Sequence, residues 1–283
     1  MENQRDFKVF SGFILKILAI VFMTLDHIGM MLHLNGKLPE IGTIFRIFGR
    51  LAFPLFIFLL VEGVRHTKSI GKYFIRLGIL ALVFFAGQMF YYLVISKNTS
   101  GLSSPMIDLL LAASIVYLLK RKDKFSFLAI LPLAWAILVL IVKNREIVTL
   151  QPINWVPFYL RPDYTIYGPL LGIGFYCAFE FAPMFLKSKE GTKDFVGTSY
   201  EQTTINVMCS VVLIILTVAI IFLDRNAMHT YYSMPWQIYS LFAFVPLLFY
   251  SGKRGYNAKW FQYGCYFYFP VHLIIIYGIF ALL

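Results

Sequence analysis

The sequence predicts an all-α fold, a polytopic transmembrane helical bundle of about nine spans (8–11) with a cytoplasmic N-terminus. Three observations predict it. Hydrophobic residues make up 59% of the 283 residues and charged residues only 14%. Apolar runs long enough to cross a bilayer recur from end to end, and Lys and Arg are unevenly distributed between alternate loops. Because no soluble segment of domain size interrupts the runs, we expect one membrane domain over residues 1–283.

The predicted spans are apolar runs separated by polar segments. A span needs about 20 predominantly apolar residues to cross a hydrocarbon core of roughly 30 Å. Nine runs approach or reach that length: 13–34, 44–64, 73–95, 106–119, 125–142, 166–186, 205–223, 234–250 and 261–282. The fourth is the shortest. No small-residue cleavage site follows the first run, which we therefore expect to remain as a membrane helix.

The distribution of basic residues orients the spans. With the N-terminus in the cytoplasm, that side collects 17 of the 25 Lys and Arg residues, as the positive-inside rule requires. The formal charge of +11 is therefore explained by orientation, and we expect no nucleic-acid partner. The three cysteines lie in or at the ends of apolar runs without metal-ligand spacing, so we expect neither a disulfide framework nor a metal site.

Ionisable side chains inside the spans concentrate in the first two predicted helices. Asp26 and His27 are adjacent in FMTLDHIGMML. Such groups cost several kcal/mol in lipid unless they are paired or hydrated, which makes them candidates for function. Neighbouring helical residues point about 100° apart, so the two need different partners. We expect Asp26 to neutralise Arg50 or Arg46 from the next helix, and Pro54 to kink that helix just below them.

A basic cluster follows at the cytoplasmic end of the second span. Glu62, Arg65 and His66 share a helical face, and Lys72 and Arg76 come next. Two interpretations stay open. The cluster is either an orientation signal with snorkelling side chains or a basic mouth that binds an anionic cofactor from the cytosol.

Other candidates lie deeper in the chain. At about 1.5 Å per residue, His27 lies roughly 21 Å into the first span, and His272 falls near the middle of the last. A lone histidine there is either a packed, hydrogen-bonded residue or a catalytic one. On the predicted outer side, Asp108 opens the fourth span, and Asp163 and Tyr164 close the loop before the sixth, so these three are candidates for contact with a substrate.

Six stretches along nearly the whole chain resemble the TraX-like family of integral membrane proteins. They are LKILAIVFMTLDHIG (15–29), RIFGRLAFPLFIFLLVEGVRHT (46–67), YFIRL (73–77), DYTIYGPLLGI (163–173), LLFYSGKRG (247–255) and FYFPVHLIIIY (267–277). The family is named for a conjugative-pilus protein that N-acetylates pilin. It is distantly similar to transmembrane acyltransferases of the heparan glucosaminide N-acetyltransferase type. The chain departs from the family pattern at Phe269, where a tyrosine often precedes Pro-x-His, so either no hydroxyl is needed near His272 or Tyr268 supplies it.

The resemblance implies an acyltransferase in the bacterial cytoplasmic membrane. Acetyl-CoA in the cytosol would give its acetyl group to an amine or hydroxyl of an exported acceptor, either a surface glycan, a glycolipid or a peptide. The implied catalytic residues are His27 as general base or acetyl carrier, Arg50 or Arg46 for the oxyanion, Asp26 to hold the arginine, and His272. The implied CoA-binding residues are Glu62, Arg65, His66, Lys72 and Arg76, and the acceptor would meet Asp108, Asp163 and Tyr164. The resemblance leaves room for an oligomer.

A second class of function stays open from the residues alone. Intramembrane Asp, His, Arg and Glu side chains also form proton relays, as in a proton-coupled transporter or flippase. The sequence lacks the paired, Gly/Pro-broken half-repeats of many secondary transporters, which favours the enzyme.

Overall fold

A computed structural model describes residues 9–36, 38–90, 92–93, 103–190, 198–224, 230–231 and 234–282. The described elements are almost all helices: α1 Gly12–Leu34, α2 Pro39–Gly49, α3 Ala52–His66, α4 Ile70–Phe90, α5 Pro105–Arg121, α6 Ile130–Thr149, α7 Tyr167–Glu190, α8 Ser199–Leu223, α9 Phe244–Leu248 and α10 Lys259–Leu282. Three short 3-10 helices lie at Ser126–Ala129, Phe158–Leu160 and Trp236–Ala243. Two-residue strands, β1 Thr230–Tyr231 and β2 Met234–Pro235, pair antiparallel. The all-α prediction is confirmed.

Seven segments of the described chain are long and apolar enough to cross a membrane. They are Gly12–His33, Pro39–His66, Ile70–Phe90, Ser126–Thr149, Tyr167–Leu186, Ser199–Leu223 and Lys259–Phe280. The chain is therefore an integral membrane protein. The predicted fourth and eighth spans correspond to shorter helices, α5 with 17 residues and the apolar stretch Trp236–Leu248. The predicted count of about nine is thus approximate.

The second predicted span consists of two helices, α2 and α3, which are separated at Arg50 and Leu51. The amide of Arg50 closes the end of α2 by donating to the carbonyl oxygens of Arg46 and Ile47, both at 3.2 Å. Pro54 lies in the first turn of α3, where a missing N–H costs no intrahelical hydrogen bond. The kink expected near the arginines is therefore a break between two helices.

The described residues fall into two compact units. Unit 1 is drawn from Met1–Leu59, Gly174–Thr217 and Ile238–Leu283, and unit 2 from Leu60–Ile173 and Val218–Gln237. The single domain over 1–283 stays a prediction.

Unit 1 has an aromatic core. The Phe58 ring meets those of Phe175 and Tyr250 edge to face, with centroids 5.7 and 5.2 Å apart. The segment before α1 also pairs with the segment before α10, because the Phe10 amide donates to the Phe249 carbonyl and the Ser251 amide to the Phe10 carbonyl. The start of α1 is thereby tied to a segment about 240 residues later.

In unit 2, Val139 and Val142 of α6 form a buried cluster with Val156 from the loop that follows. Trp135 and Ile153 pack against this cluster. The loop after α6 therefore has an apolar contact that holds it to its own helix.

Close packing of α1 against α2 requires glycine at three positions. A Cβ at Gly29 would lie 2.6 Å from the carbonyl oxygen of Gly42, and one at Gly49 would lie 2.7 Å from the Cα of Asp26. Gly42 and Gly49 are seven residues apart, two helical turns, and so share a face of α2. Small residues let two helix backbones approach closely in a membrane. This approach brings Arg50, the residue after Gly49, to Asp26.

Candidate active site

Asp26 and Arg50 form an ion pair between α1 and the end of α2. Arg50 Nη2 donates to Asp26 Oδ2 at 2.7 Å, and the side chains of Arg50 and Asp26 are only 8% and 15% exposed. The expectation that Asp26 faces an arginine of the next helix is confirmed. The second carboxylate oxygen, Oδ1, is buried beside Gly49 and has no hydrogen-bond partner among the described residues. Arg46, the other predicted arginine, packs its Cγ close to Gly29.

His27 of α1 contacts His272 of α10. His272 Nε2 lies 3.1 Å from His27 Nδ1, and the ring centroids are 5.0 Å apart. His272 is 3% exposed. The sequence analysis identified both histidines as candidate catalytic residues but did not predict that they are in contact. Their similar predicted depth in the membrane was the one signal that pointed to the contact.

For neutral rings, the hydrogen bonds around His272 assign the protonated nitrogen of each histidine. His272 Nδ1 lies 2.9 Å from the carbonyl oxygen of Tyr268. A carbonyl only accepts, so Nδ1 carries the hydrogen and Nε2 carries the lone pair. That lone pair accepts the Nδ1–H of His27. The remaining nitrogen of His27, Nε2, therefore carries the lone pair that is available as a base.

A second layer of contacts holds the His272 ring. The Thr24 hydroxyl donates to the carbonyl oxygen of Ile20 at 2.8 Å, which uses its only proton. The 2.8 Å contact between Thr24 and the Tyr268 hydroxyl must therefore have Tyr268 as donor. The Tyr268 ring stacks on His272 at 5.0 Å with 2° between the planes, and Phe269 meets it edge-on. Tyr268 thus packs its ring against His272 and bonds its hydroxyl to Thr24.

The predicted CoA-binding residues belong to the end of α3 and the first turns of α4. They are Glu62, Arg65, His66, Lys72 and Arg76. His66 Nδ1 lies 3.0 Å from the Glu62 carbonyl oxygen. Lys120 of α5, which sequence reasoning missed, donates to the carbonyls of Val64 and Arg65 and so caps the C-terminal end of α3. A role in binding CoA stays a prediction for this cluster.

The predicted acceptor-side residues come together at the start of α5. Asp108 is fully buried, and its Oδ2 accepts from the amides of Asp163 at 2.6 Å and Tyr164 at 3.2 Å. Asp163 in turn accepts from the Ser103 hydroxyl at 2.5 Å. Asp108 therefore organises the turn before α7, while contact with an acceptor stays a prediction. Across the described residues, no group of three or more His, Cys, Asp or Glu side chains is arranged to hold a metal ion.

Comparison with known proteins places these residues in context. The TraX protein family model matches residues 11–185, a range that includes Asp26 and His27 and ends before His272. The chain is 31% identical over 121 residues to the probable fimbrial assembly protein FimC, serogroup H1, of Dichelobacter nodosus, covering 41% of this chain and 49% of that protein. It is 34% identical over 103 residues to an uncharacterized protein of Rickettsia prowazekii (strain Madrid E), covering 31% and 39%. The chain thus spans about half or less of the length of these curated relatives. No solved structure matches it.

Proposed function

Because the chain belongs to the TraX family, we propose that it is a membrane-embedded acyltransferase. In this proposal it transfers an acetyl group from cytosolic acetyl-CoA to an amine or hydroxyl of an exported acceptor, in the bacterial cytoplasmic membrane. The hydrogen bond between His27 and His272 is the observation that carries the proposal. It leaves a basic nitrogen within a membrane helix, where ionisable groups are rare and mark functional sites.

Nε2 of His27 is the proposed general base. It removes the proton of the acceptor amine or hydroxyl as the acceptor atom bonds to the acetyl carbonyl carbon. The carbon–sulfur bond of the thioester then breaks. The proton on His27 passes to the sulfur, so CoA leaves as the thiol and His27 returns to its neutral form. His272 keeps the ring of His27 in one orientation throughout.

A developing oxyanion is stabilised by donors that are already in place. Arg50 or Arg46 is proposed to fill this role. The 2.7 Å contact with Asp26 holds the Arg50 guanidinium at the end of α2, so this cation is positioned before a substrate arrives. Asp26 is therefore a positioning residue in this proposal, and His27 is the catalytic one.

The substrates are assigned by chemistry and by similarity. The cationic residues of the α3–α4 cluster would meet the phosphates of CoA, and Asp108, Asp163 and Tyr164 would face the acceptor. One relative is named as a probable fimbrial assembly protein. This name makes a fimbrial subunit the first acceptor to test, beside surface glycans and glycolipids.

The test uses purified full-length protein and radiolabelled acetyl-CoA. Wild-type protein should cleave the thioester or transfer label, and His27→Gln should slow this about 10²–10⁴-fold, the usual contribution of a general base. His33→Gln is the matched control, because His33 lies on the same helix but is exposed at its end. A folded His27→Gln protein with the wild-type rate would contradict the proposal. A folded wild-type protein that does not bind CoA would favour a transporter instead.

A further inference from the structure

A groove of about 520 Å³ lies between the second half of α6 and the loop that follows it. Its walls are mainly apolar side chains: Leu138, Ile141, Val142, Pro152, Ile153 and Trp155. Arg145 and Asn154 complete the lining. The volume is within the range of small-molecule sites, roughly 300–1,000 Å³.

A network around one ion pair fixes the loop wall of this groove. Arg161 Nη1 lies 3.0 Å from Glu146 Oε2, and Arg161 Nη2 donates to the carbonyls of Ile153 at 2.6 Å and Val156 at 2.9 Å. The Ile153 amide donates to the other Glu146 oxygen at 2.7 Å. Since Glu146 belongs to α6, the loop is tied to the helix on which the groove is built.

The cations beside the groove differ in their partners. Lys143 donates to the carbonyls of Pro162 and Asp163, and Arg161 binds Glu146. The guanidinium of Arg145 makes no hydrogen bond or ion pair with the described residues. The sequence also predicts that this end of α6 lies on the outer side, where basic residues are scarce, so the orientation rule does not explain Arg145.

We propose that the groove binds one anionic phospholipid, with its phosphate on Arg145 and an acyl chain along the apolar wall of α6. Arg145 lies four residues before the end of the candidate span Ser126–Thr149, which is about 6 Å along the helix. This position places its side chain within reach of the lipid headgroups. Trp155 and Leu150 nearby are 67% and 85% exposed. Tryptophan side chains such as Trp155 are enriched at the membrane–water interface. The planar guanidinium of an arginine such as Arg145 matches the geometry of a phosphate group. A free anion would have no apolar part to contact the side chains that form the groove walls.

The test measures lipid binding to the full-length protein in detergent micelles and needs no acetyl-CoA, so its outcome is separate from that of the proposed acyltransferase. Phosphatidylglycerol and phosphatidylcholine are titrated against wild-type protein and scored by native mass spectrometry and thermal unfolding. We expect wild-type protein to prefer phosphatidylglycerol. Arg145→Gln should weaken phosphatidylglycerol binding about five-fold, while Arg145→Lys retains most of it. Arg121→Gln removes an exposed arginine at the end of α5 and should leave binding unchanged.

Several results would overturn the proposal. Equal affinity for the two lipids, or an Arg145→Gln protein that binds like wild type, would show that Arg145 does not select the headgroup. An equal thermal shift with inorganic phosphate alone would identify a free-anion site. Leu138→Trp fills the apolar part of the groove and keeps Arg145, so unchanged lipid binding by this folded variant would also count against a bound acyl chain.

Discussion

Removing both partners of the Asp26–Arg50 ion pair should cost less than the sum of the losses from removing each partner alone. The pair is short, at 2.7 Å, and both side chains are nearly buried. Losing one partner of such a pair costs about 3–5 kcal/mol, because the other charge is left without compensation. The loss for Asp26→Asn should fall at the upper end of this range, since the guanidinium of Arg50 stays charged. Arg50→Gln should fall at the lower end of this range, because the Asp26 side chain that it leaves unpaired is the more exposed of the two.

A double-mutant cycle measures this pair directly. The free energy of unfolding is determined for both single variants and for Asp26→Asn/Arg50→Gln in mixed micelles with increasing denaturing detergent. We expect a coupling energy of about 2–3 kcal/mol. Arg121 and Asp123 are the control pair. Arg121 donates two hydrogen bonds to Asp123 and lowers the pKa of that carboxyl, but both side chains are exposed, so little coupling is expected. Additive losses for Asp26 and Arg50 would refute the reasoning.

Two further predictions concern helix contacts in unit 1. Gly49→Ala should destabilise the protein by about 1–3 kcal/mol, because the new Cβ would meet the backbone of Asp26. The control Gly78→Ala has nothing within 4 Å of the new Cβ, so the protein should keep its stability or gain up to about 1 kcal/mol. Thermal unfolding compares the two variants, and equal melting temperatures would contradict the close approach of α1 and α2. Thr24→Val leaves the Tyr268 hydroxyl without its acceptor and should cost about 1–3 kcal/mol, more than Tyr268→Phe, which removes the donor. The reverse order in unfolding titrations would mean that the donor is wrongly assigned.

The helical membrane class and the pairing of Asp26 with either Arg50 or Arg46 could be predicted, because both depend on local rules. Long apolar runs are what a bilayer requires, and the helical angle between Asp26 and His27 separates their partners. The contact between His27 and His272 joins residues 245 apart. No periodicity or charge rule connects such distant positions, so only the shared depth in the membrane related them.

The break at Arg50 and Leu51 shows a different limit. A missing proline N–H is compatible with a bend inside one helix and with the first turn of a new one. The close packing of α1 against α2 just before this break depends on glycines whose partners lie in the other helix. The sequence shows glycine at positions 29, 42 and 49, but it does not show which residues of the neighbouring helix pack against them.

The spacing of these partners along the chain sets an order for assembly during synthesis. Arg50 follows Asp26 by 24 residues, so the first two helices can enter the lipid as a hairpin whose charges already cancel. The contacts of His27 with His272 and of Phe10 with Ser251 form later, because each partner is translated more than 240 residues after the first residue. Truncation before α10 would therefore leave an inserted but incomplete protein, in which the early charge pair is formed and the imidazole pair is not.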